Sequence, residues 1–283
     1  MKKTFTLTCL LICVSAVFSQ EKVLDNAYLK CQYHHTYLKD TLDVDTFDDL
    51  FILQIGKSIS KFYSYYTFQM DSLRKTSDGE SVWKELFARS LDDLNQHRDR
   101  KRFLNSFPHT RSSTFVYKNY PSGKMTVTDA IRNDSFIYQD TLNAQYWQVI
   151  DSTKTILGYE CQKAESDFRG RRWTAWFSPD IPVNNGPWKL GGLPGLILEA
   201  YDVGKHYYFL IVGIESVTQE PITFSRGSTG KVKFRDVSRS ELLKAKMSQL
   251  RNSRSIMSAE SGIPFGNDRP VYRDLIERDY KQE

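Results

Sequence analysis

Few residues of this chain stand at the spacings that enzyme catalysis or metal binding requires. The sequence contains no GxSxG, HExxH or CxxC motif and no glycine loop of the kind that holds phosphate. His34 and His35 come nearest to a metal pair, but neighbours on a strand point to opposite faces, so one ion would reach both only across a bend. The acidic pairs in TFDDL (46–50) and LDDL (91–94) are typical of solvated loops or helix faces. We therefore predict no catalytic residue, no metal site and no cofactor.

A second candidate for function is the connection over 179–195, which joins two strand-like segments and holds four of the nine prolines. Pro194 and Gly195 stand at the two central positions of a four-residue turn, which predicts a type II turn with a positive φ at the glycine. The residues assigned to this structural turn are Gly192, Leu193, Pro194 and Gly195.

The segment just before the turn, Gly-Pro-Trp-Lys (186–189), has no backbone explanation of this kind. A loop stiffened by proline presents side chains at a low entropic cost, which favours a contact surface. The predicted binding contacts are Trp176, Pro187, Trp188 and Lys189. The alternative is a core role for these residues. Trp173 and Trp176 are three residues apart and lie on opposite faces of a strand, so at least one of them faces the core.

The N-terminus has the three parts of a secretory signal peptide. Lys2 and Lys3 precede an almost uncharged apolar run over 5–18, and small residues then lead into a polar stretch. Val17 and Ser19 suit the two small-residue positions before cleavage, so we place the cut after Ser19. The apolar run is shorter than the about 20 residues that a membrane-spanning helix needs. The alternatives are a membrane anchor and a lipoprotein with its lipid on Cys13. The mature chain is then exported, periplasmic or secreted, and no later segment is apolar enough to span a membrane.

Composition places the mature chain, residues 20–283, among ordinary globular proteins of one domain. Loss of Lys2 and Lys3 leaves 37 basic against 34 acidic residues, a net charge too small to indicate a nucleic-acid partner. Cys31 and Cys161 remain, and in an oxidising compartment they form either one disulfide or two separate buried thiols. A bridge between them would contribute about 4–5 kcal/mol in the chain-entropy model.

Most of the mature chain alternates polar with apolar, aromatic or β-branched residues, as half-buried strands do. Such segments stand at 27–40, 49–56, 61–70, 113–132 (a hairpin with its turn at 121–123), 134–140, 146–151, 154–168, 171–178, 196–203 and 206–217. Short turns between them favour an antiparallel meander. Helical spacing of apolar residues occurs at 81–100 and 238–254, a short third helix fits 271–281, and 256–270 is typical of a flexible connector. The predicted fold is α+β: a curved antiparallel sheet, compatible with a half-barrel, with two or three helices packed on it.

Three stretches of the chain carry a family signature: YECQKA (159–164), GRRWTAWFSPDIP (170–182) and GPWKLGGLPGLILEAYD (186–202). The last of them contains the hexapeptide GLPGLI (192–197). On these residues the chain resembles the GLPGLI family of exported proteins from Bacteroidetes-type bacteria, closely over its central third and more loosely elsewhere. The resemblance implies no activity and supplies no catalytic residues. The strand-rich layout is also similar to half-barrel carriers of lipids or lipoproteins in the periplasm, an analogy of fold that does not license a function.

Together these patterns favour an exported envelope protein that binds or carries an apolar ligand, or that binds an outer-membrane partner, without catalysis. The alternatives are a structural protein that docks through an exposed loop and, less favoured, a hydrolase. An exposed apolar patch around Trp188 would favour the docking protein. A pocket lined by groups with strongly shifted pKa values would favour the enzyme.

Overall fold

The computed structural model describes residues 22–38, 46–99, 103, 109–225, 232–262, 264, 266–268, 270 and 274–281. The predicted signal peptide over 1–19 lies outside the described residues. The strands are Val23–Leu38 (β1), Thr46–Gly56 (β2), Ser60–Ser64 (β3), Phe115–Lys118 (β4), Lys124–Ile131 (β5), Asp134–Thr141 (β6), Gln148–Ile156 (β7), Tyr159–Phe168 (β8), Arg171–Ser178 (β9), Leu196–Asp202 (β10), Tyr207–Thr223 (β11) and Phe234–Asp236 (β12). The helices are Tyr65–Arg74 (α1), Gly79–His97 (α2), Arg239–Arg251 (α3) and Ser253–Ser261 (α4), and a 3-10 turn covers Asp279–Lys281.

The strands form one sheet in the order β12-β6-β5-β4-β3-β2-β1-β11-β10-β9-β8-β7. Neighbouring strands are antiparallel except for β12 and β6, which are parallel. Within the described residues β7 and β12 are the two edges, so the sheet is open. The antiparallel sheet predicted from the alternation is confirmed. The predicted α+β class gives the helices too much weight, because the described part of the chain is largely β.

Strand pleating divides the side chains between two faces of the sheet. Tyr33 and Phe51 belong to the main apolar core on the face that we call the inner face. Ile52 and Tyr63 belong to a smaller apolar cluster on the outer face. The main core also includes residues of the connection 179–195 and of α3, which cover the inner face.

The sheet is strongly curved. Asp140 lies on β6, the second strand in the order, and Arg169 directly follows β8, the eleventh. A flat sheet would hold these strands about 40 Å apart, at about 4.8 Å for each strand spacing. The two side chains nevertheless form an ion pair. The curvature therefore brings the two ends of the sheet together over the inner face.

Two element boundaries differ from those predicted. The strand predicted over 61–70 ends at Ser64, because the Ser64 hydroxyl accepts a hydrogen bond from Thr67 N and starts α1. The connector predicted over 256–270 begins with α4, which ends at Gly262 with a positive φ of 69°.

Other local predictions agree with the structure. The hairpin predicted over 113–132 is formed by β4 and β5. The helices predicted over 81–100 and 238–254 are present as α2 and α3, and a capping box between Ser238 and Glu241 starts α3. Of the third helix fitted to 271–281, the described residues show only the 3-10 turn at its end.

The two cysteines among the described residues, Cys31 and Cys161, are free and buried. Cys31 lies on β1 and Cys161 on β8, with three strands between them. The disulfide that the sequence allowed is therefore not formed, and both side chains pack as small core residues. Burial raises the pKa of the Cys31 thiol to about 12, which keeps it protonated. Within the described part of the chain no helix is long and apolar enough to cross a membrane.

Candidate binding site

The connection 179–195, expected to present side chains to solvent, packs on the inner face instead. Trp188 is 5% exposed and Lys189 1%, and Pro187 is buried as well. Trp176 is 8% exposed and belongs to the main apolar core, and Lys154 Nζ lies 4.4 Å from its ring centroid. These four residues therefore do not form the predicted exposed contact surface, because the connection fills the space enclosed by the curved sheet.

The predicted turn is also built differently. Gly192 has a positive φ of 89°, whereas Gly195 does not, so the type II turn expected at Pro194 and Gly195 is wrong. Gly195 is required by a close approach, since a Cβ at this position would lie 2.1 Å from Ser178 O. The glycine thus allows the end of β9 and the start of β10 to come together.

Trp188 has a left-handed backbone conformation, with φ 49°. A bulky residue adopts this conformation only where its surroundings hold it. The ring packs on Trp173 and Phe168, with centroid distances of 5.6 and 5.8 Å. This aromatic packing fixes the ring of Trp188 in the core, where one side of it lines a cavity.

A buried lysine from β4 holds the backbone around Trp188. Lys118 Nζ donates hydrogen bonds to Asn185 Oδ1, Gly186 O and Leu190 O at 2.9, 2.8 and 2.6 Å. Burial lowers the pKa of Lys118 to about 7. The segment 186–189 therefore has a structural explanation that lies on a distant strand.

Lys189 is the centre of a buried charge network. Its Nζ lies 2.6 Å from Asp140 Oδ2 and 2.5 Å from Glu277 Oε1. Asp140 also pairs with Arg169, and Glu277 pairs with Arg239 Nη1 at 2.8 Å. Burial opposes the charge of Lys189, but Glu277 above all raises its pKa. Burial likewise opposes the charge of Asp140, but Lys189 and then Arg169 hold its pKa below the usual value. Each of these buried charges thus has an opposite partner.

The network attaches residues 274–281 to the sheet. Arg171, buried on β9, donates from Nε to Ile276 O and from Nη2 to Leu275 O, both at 2.8 Å. The Tyr207 hydroxyl donates to the first carbonyl of the segment at 2.6 Å. The segment is therefore held by its backbone as well as by its charges, and it forms one wall of the cavity.

The inner face, α3 and residues 274–281 enclose a cavity of about 260 Å³. Its walls are aromatic and aliphatic: Tyr37, Phe51, Phe62, Tyr138, Trp188, Tyr207, Phe209, Leu242, Leu243, Leu275 and Ile276. Its polar lining consists of His35, Asp49, Arg111, Ser112, Ser113, Thr114, Asp129, Lys246 and Glu277. Apolar walls with a few placed polar groups are typical of small-molecule sites.

His35 and Asp49 lie side by side in this cavity. They are directly opposite one another in the antiparallel pairing of β1 and β2, which places their Cβ atoms about 5 Å apart on one face. Their neighbours His34 and Asp48 form a 3.6 Å pair on the outer face. The two adjacent histidines therefore point to opposite faces, and a second His–Asp pair lies on the far side of the same two strands.

The hydrogen bonds of His35 define its tautomer. Its Nδ1 lies 2.9 Å from Tyr208 O, and since a carbonyl only accepts, Nδ1 carries the proton. The ring stacks on Phe209 with a centroid distance of 4.1 Å. Burial lowers the pKa of His35 to about 4, so the ring is neutral at pH 7. Nε2 is then an acceptor, and no group among the described residues donates to it.

Asp49 keeps part of its acceptor capacity. Its Oδ1 accepts from Leu50 N and Ser64 Oγ at 2.8 and 2.9 Å, and its Oδ2 accepts from Ser112 N at 3.3 Å. Burial raises the pKa of Asp49 to about 6, although these bonds and Arg111 oppose the shift. The carboxylate is therefore mostly ionised at pH 7, with Oδ2 free to accept a further bond.

The other charged groups of the cavity are already engaged. Asp129 accepts from Ser113, Thr114 and Lys246 as well as from a backbone N–H. Arg111 donates to a backbone carbonyl and stacks on an aromatic ring. Within the described residues no group of three or more histidine, cysteine and acidic side chains could hold a metal ion.

Comparison with known proteins gives little beyond the central stretch. Residues 168–199 match a family described as "Protein of unknown function (Porph_ging)", a Bacteroidetes-associated domain. The match covers β9, the connection 179–195 and part of β10. It does not confirm the name GLPGLI. None of the curated proteins matches the chain.

Two solved structures, of PNGF-II in the C2 and P21 space groups, are similar in backbone with TM-scores of 0.48 and 0.45. They are 12% and 13% identical and cover 79% and 78% of this chain. This chain spans 33% of their length. At this level the likeness has no implication for what the chain binds.

In the sequence, His35 belongs to a pair of adjacent histidines and Asp49 to a pair of adjacent acids, and no local pattern links the two. What brings them together is the register of β1 and β2, which no local pattern gives. One signal was available. In the strand 27–40, His35 occupies one of the alternate positions that are otherwise apolar, and Asp49 does the same in the strand that starts at residue 49. This alternation indicates that both side chains face the core.

Proposed function

We propose that this chain is an exported binding or carrier protein of the cell envelope, that its ligand is a small molecule held in the inner-face cavity, and that it belongs to the GLPGLI family. The observation that supports binding is the cavity itself: about 260 Å³, with aromatic walls and unused acceptor atoms on His35 and Asp49. Apolar pockets with convergent polar groups are the usual form of ligand sites. Export rests on the predicted signal peptide.

The alternative of a protein that docks through an exposed loop loses its main support. An exposed apolar patch around Trp188 would favour it, and Trp188 is buried. An enzyme is the second candidate, because His35 and Asp49 are neighbours in a cavity and both have shifted pKa values. The hydroxyls of Ser113 and Thr114 are bound to Asp129, so neither of them is available to His35 as a nucleophile. A binding function therefore accounts for more of the geometry.

Binding can be tested with a substitution that fills the cavity. Ile276 lines the cavity, and Ile276→Trp would occupy much of it. Val149 is exposed on the edge strand β7, so Val149→Trp adds the same ring outside the cavity. We would screen a chemically diverse fragment library by ligand-observed NMR against the wild type and both variants. Ligands that bind the wild type and Val149→Trp but not Ile276→Trp support the proposal.

The proposal is refuted if no fragment binds, or if every ligand binds the folded Ile276→Trp variant as it binds the wild type. Mass spectrometry of each ligand after incubation separates the carrier from the enzyme. A carrier returns its ligand unchanged, whereas an enzyme converts it and loses that conversion in His35→Phe.

A further inference from the structure

Two acceptor atoms of the cavity, on His35 and Asp49, have hydrogen-bonding capacity that the described residues leave unused. His35 presents Nε2 as a neutral acceptor, since its Nδ1–H is committed to Tyr208 O. Asp49 presents Oδ2, which accepts only Ser112 N, at 3.3 Å, among the described residues. The two acceptors belong to side chains directly opposite in register and about 5 Å apart at Cβ. A ligand group that satisfies both must supply at least two donors.

The nearby cations do not supply these donors. Lys246 is paired with Asp129. Arg111 donates from Nη1 to Asp48 O at 2.6 Å and stacks on Tyr66, with its guanidinium carbon 3.8 Å from the ring centroid. The carboxylate of Asp49 therefore lies at the cavity surface without a cation bonded to it in the described part of the chain.

Aromatic rings surround one of the two acceptor side chains, that of His35. Phe209 stacks on His35 at a centroid distance of 4.1 Å, and Tyr37 stacks on it at 5.4 Å. Phe51 approaches His35 edge-on at 5.5 Å. These rings suit a flat apolar body, and their faces also attract a cation.

We propose that the cavity binds a flat organic cation whose head group carries at least two N–H donors, of the amidine or guanidine type, with these donors on His35 Nε2 and Asp49 Oδ2. The planar fork of such a head matches two adjacent acceptors, and its charge complements the carboxylate. This inference rests on the proposed function, because it names the ligand chemistry of the same cavity.

Three probes of the same shape distinguish the contribution of N–H donors to binding from the contribution of charge. Benzamidine has a cationic head with N–H donors, benzamide has a neutral head with a donor and an acceptor, and benzoate has an anionic head that only accepts. We expect benzamidine to bind at least about tenfold more tightly than benzamide, and benzoate not to bind, as measured by NMR titration at pH 7.5. The assignment is overturned if benzamide binds as tightly as benzamidine, or if benzoate binds more tightly than benzamidine.

The two strands offer a matched pair of variants. We expect His35→Phe and Asp49→Asn each to weaken benzamidine binding at least about tenfold. His34→Phe with Asp48→Asn alters the equivalent pair on the outer face and should leave the affinity unchanged. An unchanged affinity in a folded Asp49→Asn variant refutes the assignment. Should that variant not fold, the wild type decides: benzamidine affinity that does not fall from pH 7.5 to pH 5 refutes it.

The result also separates this inference from the proposed function. If benzoate or benzamide binds the wild type and not Ile276→Trp, the cavity is a ligand site and only the head group is wrong. If no probe and no library fragment binds, the proposed function fails with it.

Discussion

Replacing Lys189 with methionine measures what the buried charge network contributes to stability. Methionine keeps most of the apolar stem and removes the ammonium that lies 2.6 Å from Asp140 and 2.5 Å from Glu277. Removing one partner of a buried ion pair usually costs about 3–5 kcal/mol, because a buried charge is left uncompensated. Here each carboxylate keeps an arginine, Arg169 or Arg239. We therefore expect the lower end, a loss of about 3 kcal/mol in the free energy of unfolding.

An exposed ion pair of equal length gives the control. Lys84 and Glu80 lie 2.6 Å apart on α2, with side chains 68% and 81% exposed. Urea unfolding followed by tryptophan fluorescence compares Lys189→Met with Lys84→Met. We expect little change for Lys84→Met, and that change should disappear at 1 M salt because salt screens exposed charges. The loss in Lys189→Met should persist at high salt.

A double variant tests whether the loss of stability in Lys189→Met comes from the ion pair between Lys189 and Glu277. Glu277→Gln removes one of the carboxylates that Lys189 compensates. The double variant should therefore lose less free energy of unfolding than the two single variants lose together, by at least about 1 kcal/mol. A loss under about 1 kcal/mol for Lys189→Met, or strict additivity of the two changes, would show that the buried charge network does not stabilise the fold. The dependence of the unfolding free energy on urea must stay equal among the variants for the comparison to hold.

Three further predictions concern single residues. Trp188→Ala should lower the free energy of unfolding by about 3–5 kcal/mol in the same urea assay, because it leaves a hole against the core; an unchanged midpoint would contradict its burial. The pKa of Asp49 in the folded protein, about 6, lies above its ordinary value, so this group favours folding below about pH 4 and loses that effect as the pH rises through 6. Relative to Asp49→Asn, wild-type stability should therefore fall between pH 4 and 7, and a rise over that range would refute the assignment. Unfolded, unreduced protein that consists of residues 20–283 should titrate two thiols, from Cys31 and Cys161, whereas a result of none would restore the disulfide.

The sequence patterns predicted most elements because those patterns are local. Alternation places most of the strands, and the helical spacing of apolar residues places α2 and α3. The strand predicted over 61–70 failed because one local signal, the cap at Ser64, outweighs the aromatic composition of the segment.

The site was missed because its contacts join residues that are distant in sequence. Lys189 meets Glu277, and Lys118 meets the backbone on both sides of Trp188, only after the sheet has curved. Nothing in the local sequence of Gly-Pro-Trp-Lys distinguishes an exposed contact from a buried one. The same stiffness that suggested a presented loop serves to hold Trp188 in a strained conformation inside the core.

The central position of β1 has a consequence for how the chain folds. β1 pairs on one side with β2 and on the other with β11, so that Tyr33 lies opposite Ile211. About half of the interstrand hydrogen bonds of β1 can therefore form only after β11 has been synthesised. Pairing across such a separation is entropically slow, and chains dominated by it fold in milliseconds to seconds or longer. A nascent chain that lacks β11 cannot complete this sheet, so the fold forms only after the residues of β11 have been synthesised.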